Sequence, residues 1–247
     1  MDIKILQFPH SPFCEKARWA LDYKGIEHEL VTILPGLHVF TVHRYAPGTS
    51  VPVLLHGEEA IQGSDAIIDF VEKHYPEKSL TPEDEDARKK CQEIEYTTAE
   101  SLGENLRQIL YFYLLQYPYF IKHCFTHPLA WPKQLFFSLT YPLLRKKIYQ
   151  TYVQSEKSVA RAKREFEKDM QKLADMVSEN DYLVGDHFTR ADLSVASMLS
   201  LLVLPEELPL PVLPVPDEHV RRMMEEYQGH PVSEWARSIY QKHRVKR

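Results

Sequence analysis

The hydrophobic pattern changes character near residue 80, and this change limits the possible folds more than any other feature of the sequence. Upstream, strand-like runs such as residues 3–8 and 51–55 alternate with helix-like segments. Downstream of Pro82, apolar residues recur every three or four positions, which is the helical period. The sequence therefore predicts an α/β domain over residues 1–77, a linker at about 77–82 and an all-α domain over residues 83–247.

The first domain is predicted to contain a mixed sheet with one hairpin. Ser11 and Pro12 have the residue types of an N-cap and a first helical position, so we expect a helix to begin there. A second helix is expected after Ser64 and Asp65, which we interpret as its cap. Residues 34–48 contain prolines and glycines and are predicted to be irregular. The predicted strands cover residues 3–8, 29–33, 51–55 and 60–62.

The second domain is predicted to contain three long helices and two short ones. The first runs as one helix from about Ala87 to Tyr113, the second covers about 159–177, and the third covers about 189–203. Residues 117–150 look like an expansion of this domain that prolines interrupt. Residues 205–216 are rich in proline and are expected to be extended.

Composition and charge exclude several classes of protein. The net charge of −5 gives no overall basic field for nucleic acid, and the short basic runs 145–147 and 242–247 are interpreted as solvated. Three cysteines favour a reducing compartment, and the first residues do not resemble a signal peptide, so we expect a cytoplasmic protein. No uninterrupted apolar run is long enough for a membrane-spanning helix. Attachment of residues 111–144 to a membrane surface stays open as an alternative.

Three separated motifs together resemble the cytosolic glutathione transferase family. The first is Ser11-Pro12-Phe13-Cys14, which is similar to the active-site turn of the serine-type tau class and, with serine in place of cysteine, of the omega class. The second is Val51-Pro52-Val53-Leu54 followed by Ser64-Asp65, which resembles the cis-proline strand and the γ-glutamyl motif. The third is residues 185–192, Gly-Asp-His-Phe-Thr-Arg-Ala-Asp, which resembles the capping motif of the helical domain. The resemblance assigns no class.

The resemblance implies a thioredoxin-like domain joined to the helical domain, glutathione as co-substrate and a homodimer. Ser11 is then expected to stabilise the glutathione thiolate, which attacks an apolar electrophile. The helix that ends near residue 113 is expected to line the electrophile pocket with Tyr111 and Tyr113. The implied glutathione-binding residues are Phe13, Arg44, Val51, Pro52, Ser64 and Asp65.

Each motif also has a simpler interpretation. Ser11 and Ser64 are residue types that commonly cap helices without any catalytic role, and few X–Pro bonds are cis. Arg44 is chosen by its spacing from Pro47, with His38 as the second choice for the glycine carboxylate. Gly63 departs from the family, whose members often carry Glu, Gln or Asp before the γ-glutamyl serine.

Two alternative functions stay open at this stage. Cys14 could serve as a redox thiol, which would give thioltransferase or deglutathionylating activity. The missing side chain at Gly63 would also fit a non-catalytic ligand-binding protein. His123 and His127 are four residues apart, but they lack an acidic third ligand and Pro128 follows them, so no metal site is predicted.

Overall fold

The structure is a computed structural model that describes residues 3–208, 210–211 and 214–244. The basic run at the end of the chain and the proline-rich segment therefore lie partly outside the described residues. Within these ranges the chain forms four strands followed and interrupted by helices, as the change of pattern near residue 80 predicts. The predicted fold class, a thioredoxin-like domain with a helical domain, is confirmed.

The sheet has the order β2-β1-β3-β4 and is mixed. Strands β1 and β2 are parallel, whereas β3 is antiparallel to both β1 and β4. Along β1, Ile3 and Ile5 face one apolar layer with Leu21, while Leu6 faces the opposite layer with Val42. This alternation is the period of two that a sheet covered on both faces requires. The strand bounds are β1 Ile3–Gln7, β2 Glu29–Thr32, β3 Val53–His56 and β4 Glu59–Gln62.

Three helices accompany the sheet, and one of them contradicts the sequence prediction. Helix α1 covers Pro12–Tyr23 and α3 covers Ser64–His74. Between them, α2 covers His38–Val42 inside the segment predicted to be irregular. Its residues are mostly β-branched or aromatic, so local propensity for a helix is weak. The fully buried Val42 packs beneath the sheet, and this tertiary contact explains why a helix forms there.

The long helix predicted after the linker is continuous, but a π-helical segment divides it in the middle. Helix α4 covers Glu85–Glu93, residues Ile94–Ala99 are π-helical, and α5 covers Glu100–Leu114. Thr97 donates its hydroxyl hydrogen to the Glu93 carbonyl oxygen at 2.5 Å, within this altered turn. The remaining helices of the described residues are α6 Pro118–Thr126, α7 Trp131–Ile148, α8 Glu156–Val177, α9 Arg190–Val203, α10 Glu218–Gln228 and α11 Pro231–His243, and residues Tyr149–Val153 after α7 are π-helical.

The prolines of residues 117–150 interrupt the chain less than the sequence predicts. Pro118 and Pro132 lie in the first turns of α6 and α7, where a missing N–H costs nothing. Pro142 lies inside α7 on its exposed side. None of the helices in the described ranges is both long and apolar enough to span a membrane.

The capping motif of residues 185–192 has the expected structure. Thr189 is the N-cap of α9, and the Asp192 carboxylate accepts hydrogen bonds from the Thr189 backbone N–H and hydroxyl, each at 2.8 Å. The other oxygen of this carboxylate accepts from the Leu183 N–H at 2.7 Å. This motif therefore fixes the start of the central helix of the second domain.

Buried ion pairs join the sheet domain to the helical domain. Arg190, the first residue of α9, contacts Glu95 at 2.5 Å and Asp69 of α3 at 2.7 Å. Lys16 of α1 contacts the other Glu95 oxygen at 2.7 Å and also pairs with Asp65. Glu95, Arg190 and Lys16 are buried, so the Glu95 carboxylate is the shared partner of two buried cations.

We expect Glu95→Gln to destabilise the protein by about 3 kcal/mol, because it leaves the two buried cations, Lys16 and Arg190, with only the partly exposed carboxylates of Asp65 and Asp69. Chemical unfolding of the variant and the parent measures this difference. Glu93→Gln is the matched control, since Glu93 lies on the same continuous helix but is exposed. Equal losses in the two variants would show that the buried pairs do not join the domains energetically.

Candidate active site

Ser11 lies where β1 leads into α1, and it is the N-cap of that helix. Its backbone is extended, and its hydroxyl oxygen accepts a hydrogen bond from the Cys14 N–H at 3.4 Å. Pro12 at the first helical position has no N–H to satisfy. The predicted cap is therefore confirmed, and it places the Ser11 hydroxyl at the positive end of the α1 dipole.

Ser11 opens into a cavity of about 250 Å³ between the two domains. The walls come from the β1–α1 turn, the start of α2, the residues before β3, and helices α5, α6, α9 and α10. The polar lining residues are few and lie mainly on the side of the sheet domain. Besides the hydroxyls of Tyr111 and Tyr152 and the thiol of Cys124, they are His10, Ser11, His38, Thr49, Ser50 and Arg107. Apolar side chains, including Phe8, Leu106, Leu110, Phe120 and Phe125, form most of the remaining wall.

Four of the predicted site residues line this cavity. They are Ser11, Phe13, Val51 and Tyr111. Pro52 follows Val51 through a cis peptide bond, and its carbonyl oxygen accepts from the Gly63 N–H at 3.0 Å. This bond ties the residue before β3 to the residue before α3. Pro52, Ser64, Asp65, Arg44 and Tyr113 are not among the residues that line the cavity.

The prediction that Tyr113 lines the same pocket as Tyr111 is wrong. Tyr113 lines a second cavity, of about 210 Å³, where its hydroxyl oxygen accepts from Lys163 Nζ at 2.7 Å and its ring stacks on His219. Two residues that are two positions apart on a helix point about 200° apart, so they cannot face one cavity. Burial raises the pKa of the Tyr111 phenol, which therefore stays neutral in the first cavity.

The choice of Arg44 over His38 is also not supported by the structure. Arg44 is exposed beyond the end of α2, whereas His38 at the start of α2 lines the cavity. The His38 ring packs edge-on against Phe8, with 5.1 Å between the centroids. Burial lowers the pKa of His38, so the ring is neutral at pH 7. Its Nδ1 accepts from the Gly36 N–H at 3.0 Å, which places the ring proton on Nε2.

Helix α3 begins one residue away from the predicted cap. Gly63 is the N-cap, while Ser64 and Asp65 are the first two helical residues. The Asp65 carboxylate is paired through Oδ1 with the buried Lys16. Gly63 has φ +99° and ψ 143°, a conformation that essentially only glycine adopts. The departure from the family at this position is therefore a requirement of the backbone in this chain.

Two residues that line the cavity, His10 and Arg107, were not predicted from the sequence. His10 Nδ1 lies 2.8 Å from the Cys124 carbonyl oxygen, so the ring joins the β1–α1 turn to α6. Burial lowers the pKa of His10. Arg107 on α5 places its guanidinium 4.6 Å from the Tyr152 ring centroid and 5.5 Å from that of Phe13. The position of His10 beside Ser11 and the helical spacing of Arg107 from Tyr111 are the only sequence signals for either residue.

The cysteines differ from Ser11 in their surroundings. Cys14 is fully buried, and burial raises the pKa of its thiol. Cys124 lines the cavity, and burial raises the pKa of this thiol to about 12. Neither thiol is therefore ionised at neutral pH, which makes both poor nucleophiles.

The histidine pair of α6 and the turn after it lies close together. The rings of His123 and His127 are 5.2 Å apart between centroids. Within residues 3–208, 210–211 and 214–244, the structure contains no cluster of three or more His, Cys, Asp or Glu side chains that could hold a metal ion.

Family models match both halves of the chain. The glutathione S-transferase N-terminal domain model matches residues 6–79, and the glutathione S-transferase C-terminal domain model matches residues 117–226. The chain belongs to the glutathione S-transferase family. The first match contains the β1–α1 turn and the start of α3, and the second contains the capping motif of α9.

Curated relatives of the family align over only part of their length. A probable glutathione S-transferase from Nicotiana tabacum is 30% identical over 91 residues, which is 34% of this chain and 38% of the relative. Glutathione S-transferase 1 from Dianthus caryophyllus is 30% identical over 118 residues, 47% of this chain and 52% of the relative. The chain thus spans about half or less of the length of these relatives.

Solved structures support the same fold over nearly the whole chain. A glutathione S-transferase from Sinorhizobium meliloti has a TM-score of 0.67 at 15% identity, covering 97% of this chain and 88% of that one. One from Methylobacillus flagellatus, solved with glutathione bound, has a TM-score of 0.64 at 15% identity, with coverages of 98% and 95%. At these identities the likeness shows the fold alone.

We expect Gly63→Ala to destabilise the protein by about 1 to 3 kcal/mol, because a side chain is strained at this φ and ψ. Thermal or chemical unfolding measures the change. Gly229→Ala is the matched control, because Gly229 has φ −96° and open space around the position of an added Cβ. If both variants lose the same stability, the conformation of Gly63 is not a constraint on the start of α3.

Proposed function

We propose that this protein conjugates the thiolate of glutathione to an apolar electrophile. The observation that carries the proposal is the Ser11 hydroxyl at the N-terminus of α1, which faces a cavity that is otherwise mostly apolar. Family membership supports the reaction class, as do the named functions of the relatives from Nicotiana tabacum and Dianthus caryophyllus.

Ser11 is proposed to stabilise the thiolate by donating a hydrogen bond. Its oxygen already accepts from the Cys14 N–H, and that bond does not use the hydroxyl hydrogen, which can therefore point to the sulfur. Lowering a thiol pKa from ~8.5 by two units requires ~2.7 kcal/mol. One hydrogen bond to a charged acceptor, together with the helix terminus, is of that size. The thiol proton passes to solvent.

The carbon–sulfur bond then forms in the apolar part of the cavity. The sulfur lone pair attacks the electrophilic carbon, and the bond to the leaving group breaks with its electron pair. Arg107 is the only Lys or Arg among the described residues that line the cavity, and it stacks near Phe13 and Tyr152. We propose that it stabilises negative charge that develops on the electrophile.

The peptide part of glutathione is proposed to lie along the sheet domain. The Val51 backbone, held before cis-Pro52, pairs with the ligand backbone as an added strand would. The free N–H groups at the start of α3, at Ser64 and Asp65, hold the γ-glutamyl carboxylate. Lys16 contacts Oδ1 of Asp65, so Oδ2 is the oxygen proposed for the γ-glutamyl ammonium. His38 Nε2–H, rather than Arg44, is proposed to donate to the glycine carboxylate.

The redox alternative based on Cys14 receives no support from the structure. The thiol is fully buried with a raised pKa, so it would have to leave the core before it could attack a disulfide. A non-catalytic ligand-binding protein stays an outcome of the activity measurement below. We also propose a homodimer and a cytoplasmic location, both on family membership, and the dimer is tested by its mass in light scattering at micromolar protein.

We expect Ser11→Ala to lower kcat/KM for conjugation of a generic aromatic halide by about ten- to a thousandfold, because one stabilising donor is lost. The kinetic pKa of the bound thiol should rise, which a pH profile of kcat/KM measures. Ser11→Thr, which keeps both cap and hydroxyl, should retain most of the activity. Glutathione should still raise the melting temperature of every variant.

Cys14→Ala is the matched control from the same turn and should leave the activity nearly unchanged. Loss of turnover in Cys14→Ala, with an unchanged melting temperature and an active Ser11→Ala, would refute the serine mechanism in favour of the redox one. A parent protein that binds glutathione but conjugates nothing would instead support the non-catalytic interpretation.

A further inference from the structure

Helix α7 exposes an apolar stripe along its solvent side. Trp131, Leu135, Leu139 and Leu143 follow one another at intervals of four, so they form one band along the helix. They are 74%, 50%, 73% and 76% exposed, respectively. Phe136 beside the stripe is also exposed. A single exposed leucine is ordinary, whereas a contiguous band of this kind marks an interaction surface.

The stripe is not needed to hold α7 in place. The opposite face of the helix carries Phe137, Tyr141 and Ile148, which are buried against the helical domain. The Phe137 ring packs 6.1 Å from that of Phe125 on α6, and the Tyr141 hydroxyl donates to the Leu115 carbonyl oxygen at 2.6 Å. The helix therefore has two apolar faces, one that packs against the helical domain and one that is exposed.

The Lys, Arg, Asp and Glu residues of the segment that contains the stripe are all cationic ones. Residues 105–155 contain six Lys or Arg and no Asp or Glu, in a chain whose net charge is −5. Lys133 lies in the first turn of α7, and Arg145, Lys146 and Lys147 lie in its last turn, all of them exposed. An apolar band bordered by cations complements a surface that is apolar inside and anionic outside.

We propose that α7 attaches the protein to the surface of an anionic phospholipid bilayer. The leucine stripe and Trp131 enter the boundary between headgroups and acyl chains, and the lysines and Arg145 contact the lipid phosphates. Helices with this arrangement lie in the plane of the interface and do not span the membrane. The attachment depends on α7 alone, so it does not rest on the proposed catalytic function.

Other occupants fit the surface less well. A second copy packed through the same face would bring two basic helix ends together, and residues 105–155 offer no carboxylate to pair with them. A protein partner would have to be both apolar and acidic, and nothing in the described residues selects one. The bilayer supplies both properties in one surface.

The test is co-sedimentation of the full chain with vesicles of phosphatidylcholine alone and of phosphatidylcholine with phosphatidylserine. We expect binding to the anionic vesicles that weakens at high salt. Trp131 gives a direct readout, because the other two tryptophans, Trp19 and Trp235, are buried. Its emission should shift to the blue on binding and be quenched by lipids brominated in the upper acyl chain.

Two variants separate the apolar and the charged contributions. Leu139→Gln with Leu143→Gln, which leaves the net charge unchanged, should reduce partition by more than about tenfold, without lowering the melting temperature, because both side chains are exposed. Lys146→Glu with Lys147→Glu should reduce partition by at least about fivefold for each lysine. Lys157→Glu with Lys168→Glu, an equal change of charge on the exposed side of α8, is the matched control and should bind like the parent.

Three results would overturn the proposal. The first is an absence of binding to vesicles of either composition. The second is binding that the Leu139 and Leu143 changes leave intact. The third is a parent that self-associates in light scattering and becomes smaller with the leucine variant, which would make a second copy the occupant.

Discussion

The geometry of the site depends on charges that are buried between the two domains. Glu95 lies in the π-helical turn between α4 and α5 and binds both Lys16 of α1 and Arg190 of α9. Burial by itself would lower the pKa of Arg190, but Glu95 and Asp69 outweigh it and raise the pKa. A buried charge is tolerated only beside a partner, so these residues fix the distance between α1, α3 and α9.

A second set of ion pairs fixes α1 from the end of the chain. Arg244 follows α11 and contacts Glu15 at 2.8 Å and Asp22 at 2.6 Å, both of them on α1. Arg18 contacts the other oxygen of Glu15 at 2.8 Å. Aromatic packing supports the same contact, with Trp19 of α1 4.2 Å from Tyr240 between ring centroids. Helix α1 is thus held by the helical domain along its length, while its N-terminus stays open to the cavity.

The sequence predicts those parts of the fold and the site that depend on local residue types and periodicity. The cap at Ser11, the capping motif at Thr189 and Asp192, and the long helices all have local signals and were found. Backbone conformation and side-chain direction are set by tertiary contacts, and there the sequence was less informative. At Gly63 the sequence indicated the loss of a binding residue, whereas the structure shows a positive φ that requires glycine there. Helix α2 places His38 at the cavity, and Arg44 lies outside it.

Helix α7 shows a different limit of periodicity. Both of its faces are apolar, so the sequence has no amphipathic pattern there and the prolines look like interruptions. Only packing distinguishes the face that covers α6 from the face that is exposed. A helix that buries one apolar face and exposes a second cannot be predicted from the pattern of a single hydrophobic stripe.

The ion pairs of α1 also bear on the proposed binding of a thiolate at its N-terminus. Glu15 lies in the first turn, where a free carboxylate would oppose a bound thiolate through its negative charge. In this structure the carboxylate is buried and each of its oxygens is bound by an arginine, Oε2 by Arg18 and Oε1 by Arg244. The negative charge is therefore neutralised inside the protein, and the positive end of the helix dipole is left to act at Ser11. The contacts that join the two domains therefore also favour the thiolate that is proposed to bind at Ser11.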